Sequence, residues 1–200
     1  MIMQVLEKNK GEIEIKASKM SDFLRMEYLE SCLKQFRDFE IQKFCAWELA
    51  KLYENRFMYP EAVKYIFKFQ EITGNPLDKK KAAQKEVELL IKGGFYDKAE
   101  SAIKKAAGMM NDAERFELKR NLINWYKDMA NKAEKSGKNS ELAKVYEKLV
   151  NYVVDNEKIE MKRKIAFAYK KLGRIKESME IEKDIERYSP PDRRTPGFVY

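Results

Sequence analysis

The chain has no histidine, two cysteines, five prolines and eight glycines among its 200 residues. Each scarcity removes a class of function or fold. Without histidine, the commonest general base and the commonest transition-metal ligand are both missing. Two cysteines are too few for a thiolate-built structural zinc site; Cys32 and Cys45 fall within expected helices and read as reduced, partly buried thiols. Little glycine and proline argues against a loop-rich or all-β fold. No window approaches the run of about 18 apolar residues that a membrane span needs. The first residues scatter acids and bases with no apolar core of signal-peptide length, so the cytoplasm is the expected location. There is no glycine-rich phosphate loop followed by Lys-Ser/Thr and no nucleophile paired with a base. Glu86 and Glu88 lie two apart on an expected helix, point in different directions and cannot share a proton. Neither catalysis nor a cofactor is expected.

What the chain does have is helix-forming material. Apolar residues make up 44% and charged residues 37%, in a lysine- and glutamate-rich balance, and the length suffices to bury a core without disulfides or metals. The most informative stretch is Phe44–Gly74. Leu49, Ala50 and Tyr53 share one helical face, and Ala62, Ile66 and Phe69 share the next, with the three- and four-residue spacing of a packed pair. Asn55 to Pro60 supplies the break, and Pro60 sits where a helix tolerates it, in the first turn. Ala50 and Ala62 are twelve positions apart, where two antiparallel helices would approach most closely.

Leu49-Ala50, Tyr53, Ala62 and Ile66 resemble the tetratricopeptide repeat, a helix–turn–helix unit of about 34 residues. Three further units resemble it with differing fidelity. Val87 and Ala99 repeat the twelve-residue spacing around Gly93-Gly94, although Glu86 stands where the family has leucine. Ala130 and Ala143 are thirteen apart around Ser136–Asn139, with Ser140 as the expected cap of the partner helix. Ala166 and Ser178 are again twelve apart around Gly173. The resemblance covers residues 43–187 and implies an all-α, right-handed α-solenoid of antiparallel helix pairs, of about nine helices. Residues 18–188 are the expected solenoid, with Ser18 or Ser21 capping its first helix. Residues 1–17 read as an irregular arm, since GEIEIK alternates like a strand that would have no partner. Asn75-Pro76 is read as the end of the helix before it. The tail, residues 189–200, has three prolines and a glycine and is expected to be extended; Phe198–Tyr200 would either cap the last helix pair or serve as a ligand.

The resemblance implies a scaffold that binds an extended peptide on the concave face lined by its first helices. Register then turns Phe44, Trp47 and Lys51 toward that face in the first full unit. In the third unit it turns Asn124, Lys127 and Asn131 there, and in the fourth Arg163, Phe167 and Lys170. Lys127 and Asn131 resemble the family's clamp for a terminal carboxylate, a lysine and an asparagine one turn apart. The further clamp residues have no counterpart except Lys164 or Arg163, and a solvated polar face is the competing reading. Tyr53, Tyr96, Tyr126, Tyr146 and Tyr169 fall at packing positions.

The formal charge is +8. Residues 1–60 are balanced, and the surplus is densest from Lys158 to Lys176. Lys162, Lys164, Lys171, Arg174 and Lys176, with Arg163, Lys170 and the tail pair Arg193-Arg194, would hold an acidic peptide or a phosphate backbone. The run reads first, however, as a solvated face balanced by Glu160, Glu177 and Glu180. Lys127, Arg163 and Lys170 on the groove favour an acidic protein or peptide as the expected partner, with RNA or a ribonucleoprotein, held by the basic C-terminal half, as the second possibility.

Overall fold

The computed structural model describes residues 5–188. The extended-tail expectation, with Arg193, Arg194 and Phe198–Tyr200, lies outside the described residues. Among them there are ten helices and no strand: α1 Lys10–Ser18, α2 Asp22–Gln35, α3 Phe39–Asn55, α4 Tyr59–Ile72, α5 Pro76–Lys92, α6 Tyr96–Gly108, α7 Asp112–Lys135, α8 Asn139–Leu149, α9 Asp155–Lys171 and α10 Ile175–Tyr188. They form two compact units, Met1–Leu118 and Lys119–Tyr200.

The turn inside a helix pair is the most regular feature. Four times, a residue with positive φ follows the first helix: Phe57, Gly94, Gly137 and Gly173. In each case the next amide reaches back five residues. Met58 N–H donates to the Tyr53 carbonyl at 2.9 Å, Phe95 to Leu90 at 2.9 Å, Lys138 to Ala133 at 3.0 Å and Arg174 to Tyr169 at 2.9 Å. This is the Schellman closure, which satisfies carbonyls at a helix end only if one residue enters the left-handed region. Glycine does so without strain; Phe57, at φ 59°, does so with a Cβ.

The residues at the twelve- and thirteen-residue spacings belong to the core: Ala50, Ala62, Val87, Ala99, Ala130, Ala143, Ala166 and Ser178 are all buried. Ser178 Oγ donates to the Ala166 carbonyl at 3.0 Å, so α10 crosses α9 at the expected place. Around these contacts Leu49, Ile66, Leu89, Ile91, Leu122 and Leu149 are fully enclosed. The architecture is that of a tetratricopeptide-like helical repeat protein.

The structure corrects the sequence reading at three termini. Residues 10–18, expected as irregular arm, form α1, which raises the helix count from nine to ten. Asn9 caps it by accepting from Glu12 N–H, and the Glu12 carboxylate accepts in return from Lys8 N–H at 2.8 Å. Buried Ile13 and Ala17 lie four apart, so the segment follows a helical period and not the strand alternation. Asn75-Pro76 begins α5 instead of ending α4: Asn75 Oδ1 accepts from Leu77 N–H at 2.9 Å, and the proline occupies the first turn. Ser140 lies inside α8, whose cap position is Lys138.

In the first unit an ionic and aromatic cluster holds α1 down. Glu7 pairs with Lys16 at 2.7 Å and accepts from the Tyr28 hydroxyl at 2.8 Å, while the Lys16 ammonium lies over the Tyr28 ring. Burial alone would raise the Glu7 carboxyl; Lys16, its own backbone amide and Tyr28 outweigh that and hold it at about 2.

Candidate functional site

The first-helix residues of the first unit fall into two groups. Phe44 and Trp47 line a recess of about 240 Å³ together with Lys10 of α1, Phe69 of α4 and Lys81 of α5. The Trp47 ring packs on Phe69 at 5.1 Å between centroids, which anchors its inner edge. Lys81 Nζ lies 5.0 Å from the Trp47 ring and Lys10 Nζ 5.7 Å from the Phe44 ring, so each aromatic face carries a cation. Lys43 at the rim is already committed to Glu40 and, at 4.0 Å, to Asp78; Glu40 and burial of the ammonium act in opposite directions on it, and its pKa is raised. Lys51 is exposed, pairs with Glu48 and does not line this recess.

In the second unit Arg163, Lys164 and Phe167 of α9 line a recess of about 380 Å³ with Glu134 of α7, Leu142 of α8 and Glu160. Phe167 is 56% exposed, and Lys171 Nζ lies over its ring at 5.4 Å. Lys164 already faces two carboxylates and a phenol. It lies 3.8 Å from both Glu134 and Glu160 and donates to the Tyr146 hydroxyl at 3.2 Å, and these groups raise its pKa. Lys127 sits 3.7 Å from the Glu157 carboxylate. Asn124 and Asn131 are exposed, and neither they nor Lys127 line the recess.

The basic run is largely neutralised where it stands. Lys162 pairs with Asp184 of α10, Lys170 lies 3.9 Å from Glu182, and Arg174 bonds Glu177 at 3.0 Å. Lys176 is exposed. The tyrosines at packing positions are buried or half-buried, and three of them present their hydroxyls to carboxylates: Tyr53 to Glu30 at 2.8 Å, Tyr146 to Glu134 at 2.7 Å, and Tyr169 to Glu147. Glu30 also accepts from Tyr65, stacked on Tyr53 at 5.4 Å. Burial, reinforced by Glu30, pushes Tyr53 up to about 12, so these phenols act as donors at neutral pH.

Two features escape sequence reasoning. Phe69, which counts as helix packing, is also the wall of the aromatic recess. Lys10 and Lys81, from an expected arm and an unremarked lysine cluster, supply its cations. Among the described residues no group of three or more Cys, Asp or Glu is placed to hold a metal, and no helix is long and apolar enough to cross a membrane.

No protein-family model and no curated protein matches the chain. Solved structures with a similar arrangement include MamA 41-end from Desulfovibrio magneticus RS-1, with 13% identity over 92% of this chain and 96% of that one and a TM-score of 0.44. MamA AMB-1 aligns with 15% identity over 89% and 95%, at a TM-score of 0.38. The nearly identical TPR-like repeats of a Podosopora anserina kinesin light chain align with 14% identity over 89% and 92%, at 0.39.

Proposed function

We propose that this chain is a non-enzymatic interaction scaffold that binds acidic peptide or helical segments of a protein partner on the first-helix faces of its repeats. The observation that carries this is the recess of Phe44, Trp47 and Phe69 with Lys10 and Lys81 over its rings. Aromatic walls take an apolar side chain, and the two ammonium groups at the mouth favour carboxylates beside it. Arg163 and Phe167 repeat the combination in the second unit. RNA binding by the 158–176 run is the weaker reading, because Lys162, Lys164, Lys170 and Arg174 already face carboxylates, and each phosphate contact would have to displace one.

The test is capture of partners from a native lysate, with and without nuclease, followed by binding of the recovered partner to two variants. Recovery that survives nuclease and falls about tenfold in Trp47→Ala/Lys81→Glu or in Lys127→Glu/Arg163→Glu supports this reading. Loss of every partner with nuclease, or affinity unchanged in both variants, overturns it.

A further inference from the structure

The second helices of the first unit present another surface, formed by α2, α4 and α6. A recess of about 820 Å³ opens between α2 and α4 over Leu33, Val63 and Tyr65. A second, of about 540 Å³, opens between α4 and α6 over Val63, Leu90 and Ala102. Phe67 lines both and is 44% exposed, so it stands as a ridge between two apolar hollows. The opposite side of the same helix is packed solid through Ala62 and Ile66. The exposure of Phe67 is thus a property of a face and not of a loosely packed helix.

The charges around these hollows differ from those on the first helices. Lys34, Lys64 and Lys68 line the first recess and Lys98 and Lys105 the second. Among the described residues, no ion pair reaches Lys34, Lys64 or Lys68, and Lys98 lies over the Phe95 ring at 5.7 Å. On the first helices, by contrast, Lys85 and Lys92 converge on Glu54 at 2.7 and 2.8 Å, and Lys80 bonds Glu114 at 2.8 Å. Of the carboxylates beside the hollows, Glu30 is occupied by two tyrosine hydroxyls. Glu86 accepts from Gln70 at 2.8 Å and lies 3.7 Å from Lys105. Glu71 is left at the edge of the first.

We propose that the α2–α4–α6 face docks an acidic protein segment, which seats a large apolar side chain on each side of Phe67 and sets its carboxylates against Lys34, Lys64, Lys68 and Lys98. The pairing of two apolar hollows with unneutralised ammonium groups selects this occupant. A nucleic-acid backbone has no aliphatic groups to fill the hollows, and Glu30, Glu71 and Glu86 would repel a continuous run of phosphates. A second copy meeting this face symmetrically would bring the same lysines together. A helix with apolar residues three, four or seven apart, flanked by Asp or Glu, matches both chemistries at once.

The experiment uses the full chain and short fluorescein-labelled peptides of Glu and Ser carrying two Leu or two Phe at those three spacings. Controls replace Glu by Lys, or the apolar residues by Ala; polyuridine RNA and phosphatidylserine vesicles are run beside them. At least one acidic–apolar peptide binds the wild type. Its affinity falls about tenfold in Lys64→Glu/Lys68→Glu and in Phe67→Ala, while Lys144→Gln, at an exposed lysine of α8 that lines neither recess, leaves it within about twofold. A matching melting temperature certifies the fold of each variant, and Lys64→Gln/Lys98→Gln substitutes for any that fails. Absence of binding by every acidic peptide overturns the proposal. So does binding indifferent to Lys64 and Lys68, preference for RNA or vesicles, or self-association through this face. Peptide binding that is lost only in Trp47→Ala/Lys81→Glu overturns this proposal while supporting the first-helix reading.

Discussion

Two sets of basic residues in this chain end in opposite electrostatic states. From Lys158 to Lys176 there are eight Lys and Arg in nineteen residues, and five of them sit against carboxylates: Lys158 on Asp155, Lys162 on Asp184, Lys164 between Glu134 and Glu160, Lys170 near Glu182 and Arg174 on Glu177. Lys34, Lys64, Lys68 and Lys98 are spread over sixty-five residues, yet the helix pairs bring them to two adjoining hollows where, among the described residues, no carboxylate pairs with them. Charge density along a chain is therefore a poor guide to the field at its surface. What matters is whether the acids lie on the same helix face or on the helix packed against it.

The comparison can be broken most severely by removing the packing that assembles the first set. Leu49 is fully enclosed between α3 and its neighbours, and Leu49→Ala should cost about 2–5 kcal/mol in urea unfolding. That is enough to disperse the α4 and α6 lysines while leaving the local ion pairs of α9 and α10 nearly intact. A second intervention uncovers the other set. Glu134→Gln/Glu160→Gln/Asp184→Asn frees Lys162 and Lys164 and should raise retention on heparin at low salt about tenfold, with a steeper salt dependence than the wild type. Equal elution of the two proteins would show that these acids do not mask the run.

Acid offers a third lever, on the cluster that anchors α1. Glu7 is held at about 2, below its unfolded value near 4.5. A depressed carboxylate contributes stability that is complete above the unfolded pKa and is lost as pH falls toward the folded one. The first unit should thus lose on the order of 1 kcal/mol between about pH 4.5 and 2, after allowance for solvent screening, and Glu7→Gln should flatten that part of the profile. The smallest effect is expected at the turns. Phe57 is 74% exposed and holds φ 59°, so Phe57→Gly should stabilise by about 0.5–1 kcal/mol, whereas Gly137→Ala, at φ 65°, should destabilise by about 1 kcal/mol. Thermal melts that move in the same direction for both would contradict the shared turn geometry.

Much of the frame was legible because its determinants are local. The Ala50–Ala62 and Ala166–Ser178 spacings, the breaks at Gly94, Gly137 and Gly173 and the position of Pro60 were each readable within one helix pair. The α3–α4 turn carried no glycine signal because Phe57 occupies the left-handed position. The helix α1 was missed although its cap, Asn9 with Glu12 three residues on, is an N-terminus signature; the alternation in GEIEIK masked it, since Ile15 is apolar but exposed. The candidate site was less legible. Register named Phe44, Trp47, Arg163 and Phe167, which do line recesses. It also named Lys51, Asn124, Lys127, Asn131 and Lys170, which are not among the residues lining these two recesses.

Helical period, small residues at crossings and turn residues belong to one stretch of chain, and on their strength the amino-acid order settled that this protein is built of antiparallel helix pairs. Which lysine meets which glutamate was decided only when the helices packed. Lys162 finds Asp184 twenty-two residues away, and Lys92 finds Glu54 at thirty-eight. Lys34, Lys64 and Lys68, which make no ion pair among the described residues, were singled out by the same assembly. An ion pair forms within a few ångströms across helices whose relative placement is set by buried side chains, and that placement has no expression in local sequence.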